Sequence, residues 1–100
     1  MNRGVVWNYT PSSGPAVRVV VLSNEAHNSV SWPVCAYLTR RAAPLVPTMV
    51  PLADPDPVGG AVDLATLGTI NPDRLSGPVG MLTGASLARI GEAIQALFGL

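Results

Sequence analysis

Lysine is absent from this 100-residue chain. Cationic chemistry therefore falls to six arginines, Arg3, Arg18, Arg40, Arg41, Arg74 and Arg89, which six acidic residues balance. A formal net charge of zero excludes a broad electrostatic clamp on duplex nucleic acid, but leaves room for a local cationic groove. Cysteine is nearly absent too. Cys35 stands alone in an apolar run, so a disulfide framework within the chain and a thiolate zinc site are both excluded, and a small buried hydrophobe is the expected role. No apolar run approaches the ~18 residues of a membrane span. No basic N-terminal segment leads into a long apolar stretch as a signal peptide would, so the cytoplasm is the expected compartment. The single histidine, His27, lies in a polar stretch and is expected at the surface. There is no glycine-rich phosphate loop, no persuasive Ser-His-Asp arrangement and no internal repeat. Asp54 and Asp56 alternate with prolines, which makes them a loop tip before a metal site, and neither metal nor cofactor is expected.

What the chain has in plenty is apolar surface, at 48% of residues. One domain over residues 1–100 has trouble hiding that much, so a homodimer is expected. Gly4 to Thr10 reads as a first strand with Trp7 and Tyr9 on one face at period two. The turn-forming run Pro11 to Pro15 is a loop. Val17 to Leu22 is a second strand, Ser23 to Trp32 a polar interval with room for one helical turn, and Pro33 opens a third strand that ends at Thr39. Thr48 to Leu52 is short, and Pro51 demotes it to an edge. Ala61 to Ile70 is a longer strand bent near Gly68, and Val79 to Leu82 is the last. Thr83 then caps a closing helix through the N–H of Ser86. Leu87, Ile90, Ile94 and Leu97 share a helical face, and Gly99 ends the helix. The fold class is mainly β with one closing C-terminal helix.

The chemistry gathers between Val17 and Thr39. Two neighbouring strands deliver Arg18 at one side, and at the other the hydroxyl of Thr39 with the guanidinium groups of Arg40 and Arg41. Arginine suits a phosphate because its planar fork engages two oxygens together. Ser23 and Asn24, at the turn after the second strand, either hold the backbone or read a base edge. Trp7, Trp32 and Tyr37 could stack on bases, although packing is the commoner use of aromatics beside apolar runs.

The order of blocks RGVVW, VVVLSNEAHN, YLTRR, PTMVPL, VDLATLGTI, VGMLTGASLARI and ALFGL resembles the MazF/PemK family of toxin endoribonucleases across nearly the whole chain. The resemblance implies an SH3-like barrel of the CcdB/MazF/PemK type. It also implies a homodimer that cleaves single-stranded RNA without a metal, by 2′-hydroxyl attack, and that is silenced by a cognate antitoxin. It implies catalysis by Thr39 and by an arginine at the start of the second strand, for which this chain offers Arg18. The residues themselves point to RNA contacts by Arg40 and Arg41 beside Thr39 and by Ser23 and Asn24 at the turn. A guanidinium keeps its proton at neutral pH, so Arg18 would stabilise charge and donate a proton rather than act as base. Three departures stand out. The loop from Pro11 to Pro15 is short for the family. Ala65-Thr66 replaces a polar pair that many relatives carry. The family arginine stands one residue earlier, where this chain has Val17, and a one-residue shift turns a strand side chain to the opposite face. Two rival readings share the fold: a CcdB-like gyrase poison, hinted at only by Phe98, and an inactive barrel that binds antitoxin or RNA.

Overall fold

A computed structural model describes residues 1–40 and 46–100. The β-branched runs form β1 (Val5–Tyr9), β2 (Val17–Val21), β3 (Val34–Thr39), β4 (Met49–Pro51), β5 (Ala61–Thr69) and β6 (Leu75–Met81). The polar interval holds the short helix α1 (Glu25–Asn28), and α2 (Gly84–Phe98) closes the chain. All pairings are antiparallel, in the order β4-β5-β3-β2-β1-β6.

Both outer strands carry a proline, as expected where one backbone donor is not needed. Pro51 ends β4. Pro78 lies inside β6, which starts at Leu75 rather than at the expected Val79. The pairing with β1 explains the difference. Val6 faces Gly80 and Asn8 faces Ser76, so a register shift absorbs Gly77 and Pro78 between two stretches of regular ladder. A second shift bends β5 between Asp63 and Gly68, the partners of Tyr37 and Cys35. There the Thr66 hydroxyl accepts from the Tyr37 N–H at 2.8 Å and donates to the Asp63 carbonyl at 2.7 Å, replacing a lost ladder bond. Thr66 is therefore occupied by the backbone.

Strand alternation divides the sheet into two apolar faces. On one, Val6, Val20 and Ala36 lie in register across β1, β2 and β3, all fully buried. They belong to the main core with Val62, Leu64, Leu82 and Ile90. Leu87 and Ile94 of α2 pack against it, whereas Leu97 on the same stripe is 39% exposed. On the other face, Val19, Val21, Cys35 and Ile70 are covered by Trp7, Tyr9, Val17, Tyr37 and Leu75. Tyr9 and Tyr37 meet at a 6.0 Å centroid distance, within the favourable range for aromatic pairs. Burial pushes the Cys35 thiol up to about 12, so it is an inert packing group.

Helix α2 begins and ends as its sequence demands. Thr83 accepts from the Ser86 N–H at 3.2 Å, and Gly99 takes the left-handed conformation at φ 70°. The unexpected part is Asp56, which is no loop tip: it is only 9% exposed. Its carboxylate accepts from the Thr83 N–H at 2.8 Å, the Ser86 hydroxyl at 2.5 Å and the Ala53 N–H at 3.4 Å. Arg89 in turn donates to the Ser86 hydroxyl at 3.0 Å. A buried carboxylate thus satisfies donors at the positive end of the helix dipole. Burial pushes the Asp56 pKa up, but the hydrogen bonds from Ser86, Thr83 and Ala53 outweigh it and hold the group below the ordinary value. A carboxylate depressed in this way stabilises the fold above its unfolded pKa near ~3.9, and that contribution is lost as pH falls through the folded value. Asp56→Asn should therefore cost about 1–3 kcal/mol at pH 7 and flatten the acid side of the stability profile below about pH 4. Urea titrations at several pH values measure both effects. An unchanged midpoint would mean that the helix is anchored elsewhere.

Candidate functional site

The antiparallel pairing of β2 with β3 puts the start of one strand beside the end of the other. Arg18 faces Leu38, and Thr39 and Arg40 follow directly in the chain. On the far side of β2, Asn8 of β1 faces Arg18. These residues line a cleft of about 490 Å³, with Val17, Gly59 and the Pro15-Ala16 segment completing its walls. That volume lies in the ~300–1,000 Å³ range of small-ligand sites.

Alternation settles which face Arg18 occupies. The fully buried row Val6–Val20–Ala36 is followed, two residues along each strand, by the row Asn8–Arg18–Leu38. Arg18 thus continues the main-core face at the rim of the core, where Leu38 opposite it is still buried and Arg18 itself is exposed. An arginine at the position of Val17 would instead fall with Val19 and Val21, on the other face. By the same alternation Thr39 follows Cys35 and Tyr37. Arg18 and Thr39 therefore reach the cleft from alternate faces, and they share it because it lies across the end of the sheet.

Thr39 is held by β5. It pairs with Ala61, and its hydroxyl donates to the Ala61 carbonyl at 3.4 Å. Gly60, just before that strand, has φ +93°, and a Cβ there would stand 1.8 Å from the Thr39 carbonyl oxygen. Only glycine permits this approach, so the backbone carrying the hydroxyl is positioned by a missing side chain. Arg40 is exposed at the cleft wall. Arg41 lies outside the described residues. Among the described residues no three His, Cys, Asp or Glu side chains form a group that could hold a metal ion.

Ser23 and Asn24 do not join this cleft. They follow the opposite end of β2, about 16 Å from Arg18 at ~3.3 Å per residue. The Ser23 hydroxyl accepts from the Val34 N–H at 2.9 Å and donates to Asn28 Oδ1. Asn24 caps α1 by accepting from the His27 N–H at 2.9 Å. Of the two roles open to them, holding the backbone is the one their hydrogen bonds serve. His27 is half-buried rather than exposed, with Nε2 3.0 Å from the Trp32 carbonyl oxygen. Asn8 and Gly60 escaped the sequence reading. The signal for Asn8 was a polar residue on the Val6 face of an otherwise apolar strand.

The model of the family described as PemK-like, MazF-like toxin of type II toxin-antitoxin system matches residues 4–98. The chain is 28% identical over 81 residues to Endoribonuclease MazF4 of Mycobacterium tuberculosis, covering 81% of this chain and 77% of that protein. Among solved structures it is similar to an endoribonuclease in complex with its cognate antitoxin from a mycobacterial species. That match has a TM-score of 0.91 and 29% identity, and it covers 100% of this chain and 96% of the other. A MazE-MazF complex from Deinococcus radiodurans matches at a TM-score of 0.82 and 25% identity, over 100% of this chain and 96% of the other.

Proposed function

The chain belongs to the PemK-like, MazF-like toxins of type II toxin-antitoxin systems, and from that membership we propose that it is a metal-independent endoribonuclease acting on single-stranded RNA. The observation that carries the proposal is the shared cleft of Arg18, Thr39 and Arg40. In the reaction, a ribose 2′-hydroxyl attacks the adjacent phosphorus, a cyclic phosphate forms and the bond to the 5′-oxygen breaks. The 2′-hydroxyl gives its proton to solvent water, and the 5′-oxygen gains one from a guanidinium that solvent then reprotonates. Arg18 and Arg40 meet the negative charge that develops on the phosphorane oxygens, the Thr39 hydroxyl turns its hydrogen from the Ala61 carbonyl to a non-bridging oxygen, and a guanidinium serves the leaving oxygen. Arg41, next in the chain, is proposed to contact the neighbouring phosphate.

The active form is proposed to be a cytoplasmic homodimer, inhibited by a cognate antitoxin. Exposed apolar side chains, among them Trp32, Met81 and Phe98, supply surface for such contacts. No described helix is long and apolar enough to cross a membrane. The test is incubation of the purified protein with single-stranded RNA of varied sequence in EDTA. Discrete products ending in cyclic phosphate are expected, and Thr39→Ala should slow their release about 10²–10³-fold, the usual cost of one oxyanion donor. Intact RNA at saturating protein would sink the nuclease reading, and binding without cutting would favour the inactive barrel.

A further inference from the structure

Among the described residues three of the five asparagines hold backbone through their side chains, whereas Asn8 and the terminal Asn2 do not. Asn24 caps α1, Asn71 caps the turn Pro72–Arg74, and Asn28 donates to the carbonyls of Met1 and Ser23. Each of these amides holds backbone. Asn8 has no such bond among the described residues, although it sits mid-strand on the same face as the fully buried Val6. It shares its row with the exposed Arg18, at the rim where that face leaves the core. The chain spends this position on an exposed amide at the wall of the cleft.

Its neighbour is Arg18, directly opposite on β2, and side chains so paired stand about 4.5–5.5 Å apart at Cβ. The charge in the cleft already comes from Arg18 and Arg40. An amide adds a different capacity, one donor and one acceptor side by side, which matches the edge of a nucleobase better than a phosphate. Bases of single-stranded RNA expose those edges. Resting on the endoribonuclease reading above, we infer that Asn8 is a specificity-determining residue, which reads the edge of one RNA base beside the phosphate that is cut.

Cleavage of a randomised RNA pool by the wild-type chain, Asn8→Ala and Asn8→Asp tests this, with binding of uncleavable 2′-deoxy oligonucleotides of the same sequences measured in parallel. The wild type should show a preferred base at one position next to the cut. In Asn8→Ala that preference should relax on the order of 5- to 150-fold, the discrimination of one bidentate contact, while RNAs bearing the other bases are cut at nearly the wild-type rate. Asn8→Asp, which exchanges the donor for an acceptor, should shift the preference rather than only weaken it. An unchanged base profile, or a loss of rate equal for every sequence, overturns the assignment. If the wild type cuts no RNA, the nuclease reading has failed, and the binding arm still decides: a sequence preference lost in Asn8→Ala supports base reading, and no preference refutes it.

Discussion

Arg18→Ala should lower the RNA-cleavage rate by about 10²–10³-fold, with stability changed by no more than about 0.5 kcal/mol. The asymmetry follows from where the side chain stands. Arg18 is exposed, one row beyond Val6, Val20 and Ala36, so its removal opens no hole in the core. Among the described residues no carboxylate is joined to it in an ion pair, which leaves its charge for a ligand. Arg18→Lys should recover only part of the rate, because an ammonium lacks the planar fork that engages two phosphate oxygens. Single-turnover cleavage beside urea unfolding separates the two effects. A wild-type rate in Arg18→Ala would transfer the electrostatic role to Arg40 and its neighbour Arg41.

Gly60→Ala should damage stability and activity together. The backbone at φ +93° alone costs a residue with a side chain about 1–3 kcal/mol. The new methyl would also lie 1.8 Å from the Thr39 carbonyl oxygen and 3.4 Å from the Arg40 Cα. These are backbone atoms of the strand end that bears the hydroxyl, so no side-chain rotation relieves the clash and the end of β3 must move. A displacement of about 1 Å at a reacting group is enough for a 10²-fold loss of rate. Gly59→Ala is the control: it borders the same cleft, but its added methyl meets no atom within 4 Å. Thermal melts and cleavage rates of both variants, side by side, check the expectation. Equal behaviour of the two would show that the close approach at Gly60 does not position Thr39.

The parts of this fold that were legible in advance are those decided locally. Thr83 and Ser86, three residues apart, contain their own capping bond. Gly99 contains its own helix stop, and Pro51 its own edge. Asp56 was illegible because its partners, Thr83 and Ser86, belong to a helix that reaches it only through the tertiary fold. An aspartate between prolines reads as a solvated tip until that helix end arrives. The start of β6 was hidden for a related reason: Gly77 and Pro78 break any strand pattern, and only the register shift against β1 lets the ladder continue past them. For the site, residue types in adjacent strand ends were enough to bring Arg18, Thr39 and Arg40 to one place. Which face Arg18 takes needed the registers of β1, β2 and β3. Ser23 and Asn24 stand at the far end of β2 from Arg18, and only their hydrogen bonds to Val34, Asn28 and His27 tell backbone support from base reading.

Pro51 and Pro78 have one more consequence. Strand addition by a bound peptide requires a run of unpaired donors and acceptors along an outer strand. The outer rim of β4 is three residues long and ends in proline, and that of β6 is interrupted by Gly77 and Pro78. Neither rim offers a continuous template for a further strand, in a growing aggregate or in a regulatory complex. Recognition is thereby steered toward side chains on the faces and in the cleft, a matter of shape and chemistry more than of generic backbone pairing along these two rims.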